Sequence, residues 1–74
     1  MPRLPRLTSR QIIVVLEKLG FSLARQSGSH MIFKSAEGKR VTVPSHAAKI
    51  LHPKVLKSIL RDADLSVAKL EELL

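Results

Sequence analysis

Apolar residues recur at helical spacing early in the chain. Ile12, Ile13, Val15, Leu16 and Leu19 make one broad face, and Thr8 or Ser9 stands ahead of them as an N-cap. Lys18 suits the last turn, and Gly20 supplies a C-terminal stop. The β-branched run Ile12 to Val15 argues for a strand by intrinsic propensity. Caps and period together outweigh it and predict a helix over residues 9–19.

The period then changes from helical to alternating. Phe21, Leu23 and Arg25 alternate with Ser22, Ala24 and Gln26, which predicts a short first strand. After a tight Ser27-Gly28 connection, Ser29 to Ser35 forms a second strand. His30, Ile32 and Lys34 lie on one of its faces and Met31, Phe33 and Ser35 on the other. Ala36-Glu37-Gly38-Lys39 reads as a hairpin turn, with Gly38 at positive φ. A third strand covers Arg40 to Val43 and ends at Pro44, which has no N–H for a ladder.

Ser45 to Pro53 is predicted as a connecting loop, with a short helical turn at Lys49-Ile50-Leu51. A second helix starts near Pro53, with Val55, Leu56, Ile59 and Leu60 as its apolar stripe. Asp64-Leu65 breaks the pattern. Ser66 then caps a short peripheral helix over residues 66–74, whose Val67, Leu70 and Leu73 dock on the body; its poorly placed acids predict fraying. The expected fold is α+β, a two-layer sandwich of order α-β-β-β-α(-α) with a three-stranded antiparallel sheet. One domain fills residues 1–74, with an irregular basic N-terminus over 1–7.

Size and charge narrow the function. A chain of 74 residues buries only about 60–65% of its unfolded surface, so its stability margin is thin. There are no cysteines, hence no disulfides and no thiolate zinc site. No apolar run approaches a membrane span, and the N-terminus lacks the features of a signal peptide, so a cytoplasmic location is expected. Residues 1–61 carry twelve Lys and Arg against two acids, and residues 62–74 carry one Lys against four acids. The basic body favours a polyanion such as nucleic acid; an anionic membrane or an acidic protein is also compatible with it.

Three histidines bring proton-transfer chemistry. His30 is the leading candidate, because Gly28 before it permits close backbone approach and Ser29 adds a hydroxyl donor. Arg25 and Lys34 lie on adjacent strands. His46, in the loop after the third strand, is an auxiliary candidate, as is Ser29. His52, just before a proline at a helix start, reads as a solvent or capping residue. The histidine spacings of 16 and 6, without a carboxylate cluster, suit no metal site. Both aromatics, Phe21 and Phe33, fit the core, so base stacking is disfavoured against phosphate and shape recognition. Lys49, Lys54 and Lys57 join Arg25 and Lys34 as candidate phosphate ligands.

Four segments then form a specific pattern: Leu19-Gly20-Phe21; Arg25-Gln26-x-Gly28-Ser29-His30; Gly38 with Val41-Thr42-Val43-Pro44-x-His46; and Leu56-Lys57-Ser58-Ile59-Leu60-Arg61-x-Ala63. Over residues 9–65 the chain resembles the HicA (YcfA-like) toxins. The resemblance implies a fold like a double-stranded RNA-binding domain and a translation-independent mRNA interferase. It places the catalytic histidine at His30 and a second family histidine at His46. It implies an mRNA substrate and a HicB-type antitoxin that covers the basic face and His30, with no small-molecule cofactor and no membrane. Lys54-Val55-Leu56 departs from the usual Gly-Thr-Leu, exchanging a flexible hydrogen-bonding cap for charge and apolar bulk. The alternative is a non-catalytic RNA-binding module regulated by a protein partner.

Overall fold

The computed structural model describes residues 4–46 and 48–74. The irregular N-terminus expected over 1–7 therefore falls partly on residues 1–3, outside the described residues. The elements follow the order α1 (Ser9–Lys18), β1 (Ser22–Ser27), β2 (His30–Lys34), β3 (Arg40–Pro44), α2 (Pro53–Ala63) and α3 (Val67–Leu73). This is an α+β fold around one antiparallel sheet of order β1-β2-β3.

Local chemistry explains the helix ends. Thr8, not Ser9, is the N-cap of α1. Its hydroxyl accepts from the Gln11 N–H at 3.2 Å, while the Gln11 side chain accepts from the Thr8 N–H at 2.9 Å. That reciprocal box satisfies two otherwise orphaned donors, and it offsets the poor helix propensity of the β-branched run. In α2 the imidazole Nδ1 of His52 accepts from the Lys54 N–H at 3.1 Å. Its far end closes on Asp64, held in the left-handed region at φ 56°. Ser66 caps α3 by a single bond, its hydroxyl accepting from the Lys69 N–H.

The core lies between the helices and one face of the sheet. Phe33, Val41 and Val43 project from the strands onto Ile12, Val15 and Leu16 of α1 and Leu56, Ile59 and Leu60 of α2, all buried in one cluster. The short α3 contributes Leu70, fully buried, and Lys18 of α1 donates to the Leu73 carbonyl at 2.8 Å. In the outer, uncovered face the alternate strand residues are exposed or half-buried.

Two expectations change. The helical turn at Lys49-Ile50-Leu51 does not form. Ile50 instead makes an isolated antiparallel bridge with Thr8, and the Leu51 N–H donates to the Leu7 carbonyl at 2.7 Å. Backbone pairing with the segment ahead of α1 supplies the hydrogen bonds that a lone helical turn would leave mostly unmade. The second change concerns β1, where strict alternation fails. Leu23 pairs with Phe33 but Arg25 pairs with Ile32, leaving Ala24 as the extra residue of a bulge. A bulge reverses which face the following residues occupy.

Candidate functional site

His30 opens β2 on the outer face of the sheet. Phe33 is buried and Met31 half-buried on the inner face, so the period of two leaves His30, Ile32 and Lys34 outward. Cross-strand partners share a face, and the register places Ser27 of β1 and Pro44 of β3 directly beside His30. Arg25 and Thr42, both paired with Ile32, stand at the diagonal positions, about 7–8 Å away by sheet geometry. Arg25 lies on the turn side of the bulge, so the two-residue loop fixes its outward face, and the bulge at Ala24 returns Leu23 to the inner face opposite Phe33.

The turn before His30 is built tightly. Ser27 pairs with His30, leaving Gly28-Ser29 as a two-residue hairpin loop with Gly28 at φ 57°. Positive φ at the first central position alone matches a II′ turn, which follows the twist of the strands. A Cβ on Gly28 would meet nothing within 4 Å, so glycine is required there by conformation rather than by space. The Ser29 carbonyl accepts from the Ser45 N–H at 2.6 Å, which draws the segment after β3 against this turn.

His46 follows directly from that anchor. Its carbonyl accepts from the Lys49 N–H at 3.0 Å, and its side chain is exposed. The N-terminus of α2 lies at the same end of the molecule. Its opposite terminus is tied to the β2–β3 turn, where Lys39 pairs with Asp64 at 3.7 Å, and an 11-residue helix is about 16 Å long. The three histidines therefore lie towards the end of the sheet formed by Ser27, His30 and Pro44, as do Lys49 and Lys54. The Thr8–Ile50 bridge brings the N-terminus of α1 there too. Two helix N-termini add partial positive charge to an already cationic end.

The candidates do not all converge. His30, Ser29 and His46 sit at one end, with Arg25 beside them. Lys34 shares the outer face with His30, but four residues along β2, about 13 Å away, where it pairs with Ser22 and Arg40. Lys57 stands exposed on α2, in the helical layer and not on the sheet face. The imidazole of His52 is engaged as the cap of α2. The Lys54-Val55-Leu56 segment accordingly follows a regular helical path, with Val55 half-buried and Leu56 in the core. Sequence reasoning did not single out Ser27 and Thr42 as neighbours of His30. Alternation in β3 could have found Thr42, and a loop placed at Gly28-Ser29 rather than Ser27-Gly28 would have found Ser27.

Fold and site together define a small basic α+β protein that carries His30 on an open sheet face rather than in a closed cavity. The family model describing the HicA toxin of bacterial toxin–antitoxin systems matches residues 9–65, and the chain belongs to that family. It is thus a toxin whose family implies an antitoxin partner. No curated protein matches the chain. Among the described residues no helix is long and apolar enough to cross a membrane.

Proposed function

We propose that this toxin cleaves mRNA without a metal, using His30 as general acid or base. The observation that carries the reading is the position of His30: outward on an open sheet face, at the cationic end, with Arg25 on the same face at the diagonal position. Cleavage of an RNA strand by this route begins when a base removes the proton of a 2′-hydroxyl. The 2′-oxygen bonds to phosphorus, the bond from phosphorus to the 5′-oxygen breaks, and an acid protonates the departing oxygen. One imidazole serves as either partner near neutral pH, and His46 at the same end is the candidate for the other role. Arg25 offsets charge on the phosphoryl oxygens, with the Ser29 hydroxyl as an auxiliary donor.

Lys49 and Lys54 hold phosphates near the site, and Lys34 and Lys57 hold phosphates further along the bound strand. With both phenylalanines in the core, recognition runs through phosphates and 2′-hydroxyls. This matches a fold of double-stranded RNA-binding type. A HicB-type antitoxin covers the basic face and His30 in the resting, cytoplasmic complex. The mechanism requires 2′,3′-cyclic phosphate ends on the upstream fragments. End-group analysis of a purified reaction checks this, and a product bearing only 5′-phosphate ends contradicts it.

A further inference from the structure

The outer face of the sheet carries a second cluster, at the end away from His30. Lys34 of β2 pairs with Arg40 of β3 on one side and with Ser22 of β1 on the other. Cross-strand partners share a face, so one row across the three strands holds a hydroxyl, an ammonium and a guanidinium. All three residues are exposed. Val41 and Val43 are buried, which turns Arg40 outward, and the bulge that returns Leu23 inward turns Ser22 outward.

Like charges directly opposite on neighbouring strands repel and cost stability. Among the described residues, neither Lys34 nor Arg40 forms an ion pair that would relieve this. The acids nearest in the fold, Glu37 and Asp64, are drawn instead to Lys39, each at 3.7 Å. An anion seated between the ammonium and the guanidinium replaces the repulsion with two charge-assisted contacts. The rows are also spaced for a chain of anions. Arg25, Ile32 and Thr42 form the row between His30 and Lys34. Each step of two residues is about 7 Å, close to the distance between successive phosphates of a nucleotide strand. Every row offers donors, and half-buried Ile32 gives a sugar an apolar seat in the middle. An acidic peptide repeats its charges at a similar step, but on the face of a sheet it forgoes the main-chain hydrogen bonds that an edge provides.

We propose that Ser22, Lys34 and Arg40 form a phosphate subsite for single-stranded RNA, two phosphates along from the one at His30. The strand runs along β2, with its intervening phosphate at Arg25 and Thr42. A stretch of three consecutive phosphates is then the smallest ligand that fills the face, and Arg40 is a binding residue. The inference rests on the outer face being the RNA surface, and not on cleavage by His30.

The test titrates the isotopically labelled full chain with 2′-O-methyl oligonucleotides, which lack the attacking hydroxyl and stay uncut. With unphosphorylated ends, a trinucleotide carries two phosphates and spans two rows, and a tetranucleotide carries three and spans all of them. The expected result is a step in affinity from the trinucleotide to the tetranucleotide, with resonance shifts at Ser22, Thr42 and Arg40 together. Arg40→Gln should abolish that step and weaken the tetranucleotide roughly threefold or more at low salt. Arg40→Lys should restore most of it, and Lys69→Ala, which removes a cation from α3, should change neither ligand. In the RNA-free chain Arg40→Gln should raise Tm, because the repulsion with Lys34 is gone. Equal losses in Arg40→Gln and Lys69→Ala, no step, shifts centred on the helical layer, or a lowered Tm would overturn the proposal. So would tighter binding of an extended peptide with Glu at alternate positions, since the face would then belong to a protein. If the wild type leaves ordinary RNA uncut while the step and its loss in Arg40→Gln are observed, the chemistry assigned to His30 fails and the subsite stands.

Discussion

The imidazole of His30 owes its position to a backbone device, the tight turn before it. Gly28 sits at φ 57°, where a side chain costs about 1–2 kcal/mol. Gly28→Ala should therefore destabilise the chain by roughly that amount in urea melts, although nothing fills the space a Cβ would take. Arg25 tests the outer face beside His30. A hydrogen bond to a charged group is worth about 1.5–3 kcal/mol, so Arg25→Ala should lower kcat/KM on RNA by roughly tenfold to a hundredfold with the fold intact. An unchanged rate would remove Arg25 from the site. The outward face of His30 was legible from alternation with Phe33, because one face of β2 is buried. The face of Arg25 follows from a two-residue loop at Gly28-Ser29, whereas the inward return of Leu23 was not legible, since a bulge adds a residue without a sequence mark of its own at Ser22–Ser27.

At the scale of elements, the helices were legible because caps and apolar period agree. Thr8 with Gln11, Pro53 at the start of α2, and Ser66 before α3 each mark a start chemically. The segment from Lys49 to Leu51 was not legible as a bridge, because its partner Thr8 lies some forty residues earlier in the chain, and local pattern carries no trace of that pairing. The cap of α2 belongs to this scale. Replacing His52 with alanine removes the acceptor for the Lys54 N–H and should cost about 0.5–2 kcal/mol, with Asn restoring most of it. Thermal melts of the two variants check this. If the alanine and asparagine variants melt alike, the cap contributes nothing. Leu70 tests α3 in the same way. It is fully buried, so Leu70→Ala should cost about 2–5 kcal/mol, enough to threaten folding in a chain this small.

Taken whole, the molecule separates its surfaces. One face of the sheet is spent on the core, and the other stays open with His30 at one end and Lys34 and Arg40 at the other. The charge asymmetry between residues 1–61 and 62–74 was readable at once, but the division of the cations between sheet face and helical layer needed the fold. That division predicts how binding responds to salt. If all five candidate cations engage a single strand, the slope of log K against log salt should be about −3.5 or steeper; if only those of the sheet face engage, it should be distinctly shallower. Titration of a catalytically silent His30→Ala chain with RNA separates the two. The central claim is that this toxin is a metal-independent ribonuclease dependent on His30. Its most direct test incubates a long single-stranded RNA with the purified, antitoxin-free chain in EDTA, beside His30→Ala. The account predicts fragments from the wild type and intact RNA from the variant; intact RNA in both lanes, with the protein folded and bound to RNA, would contradict it.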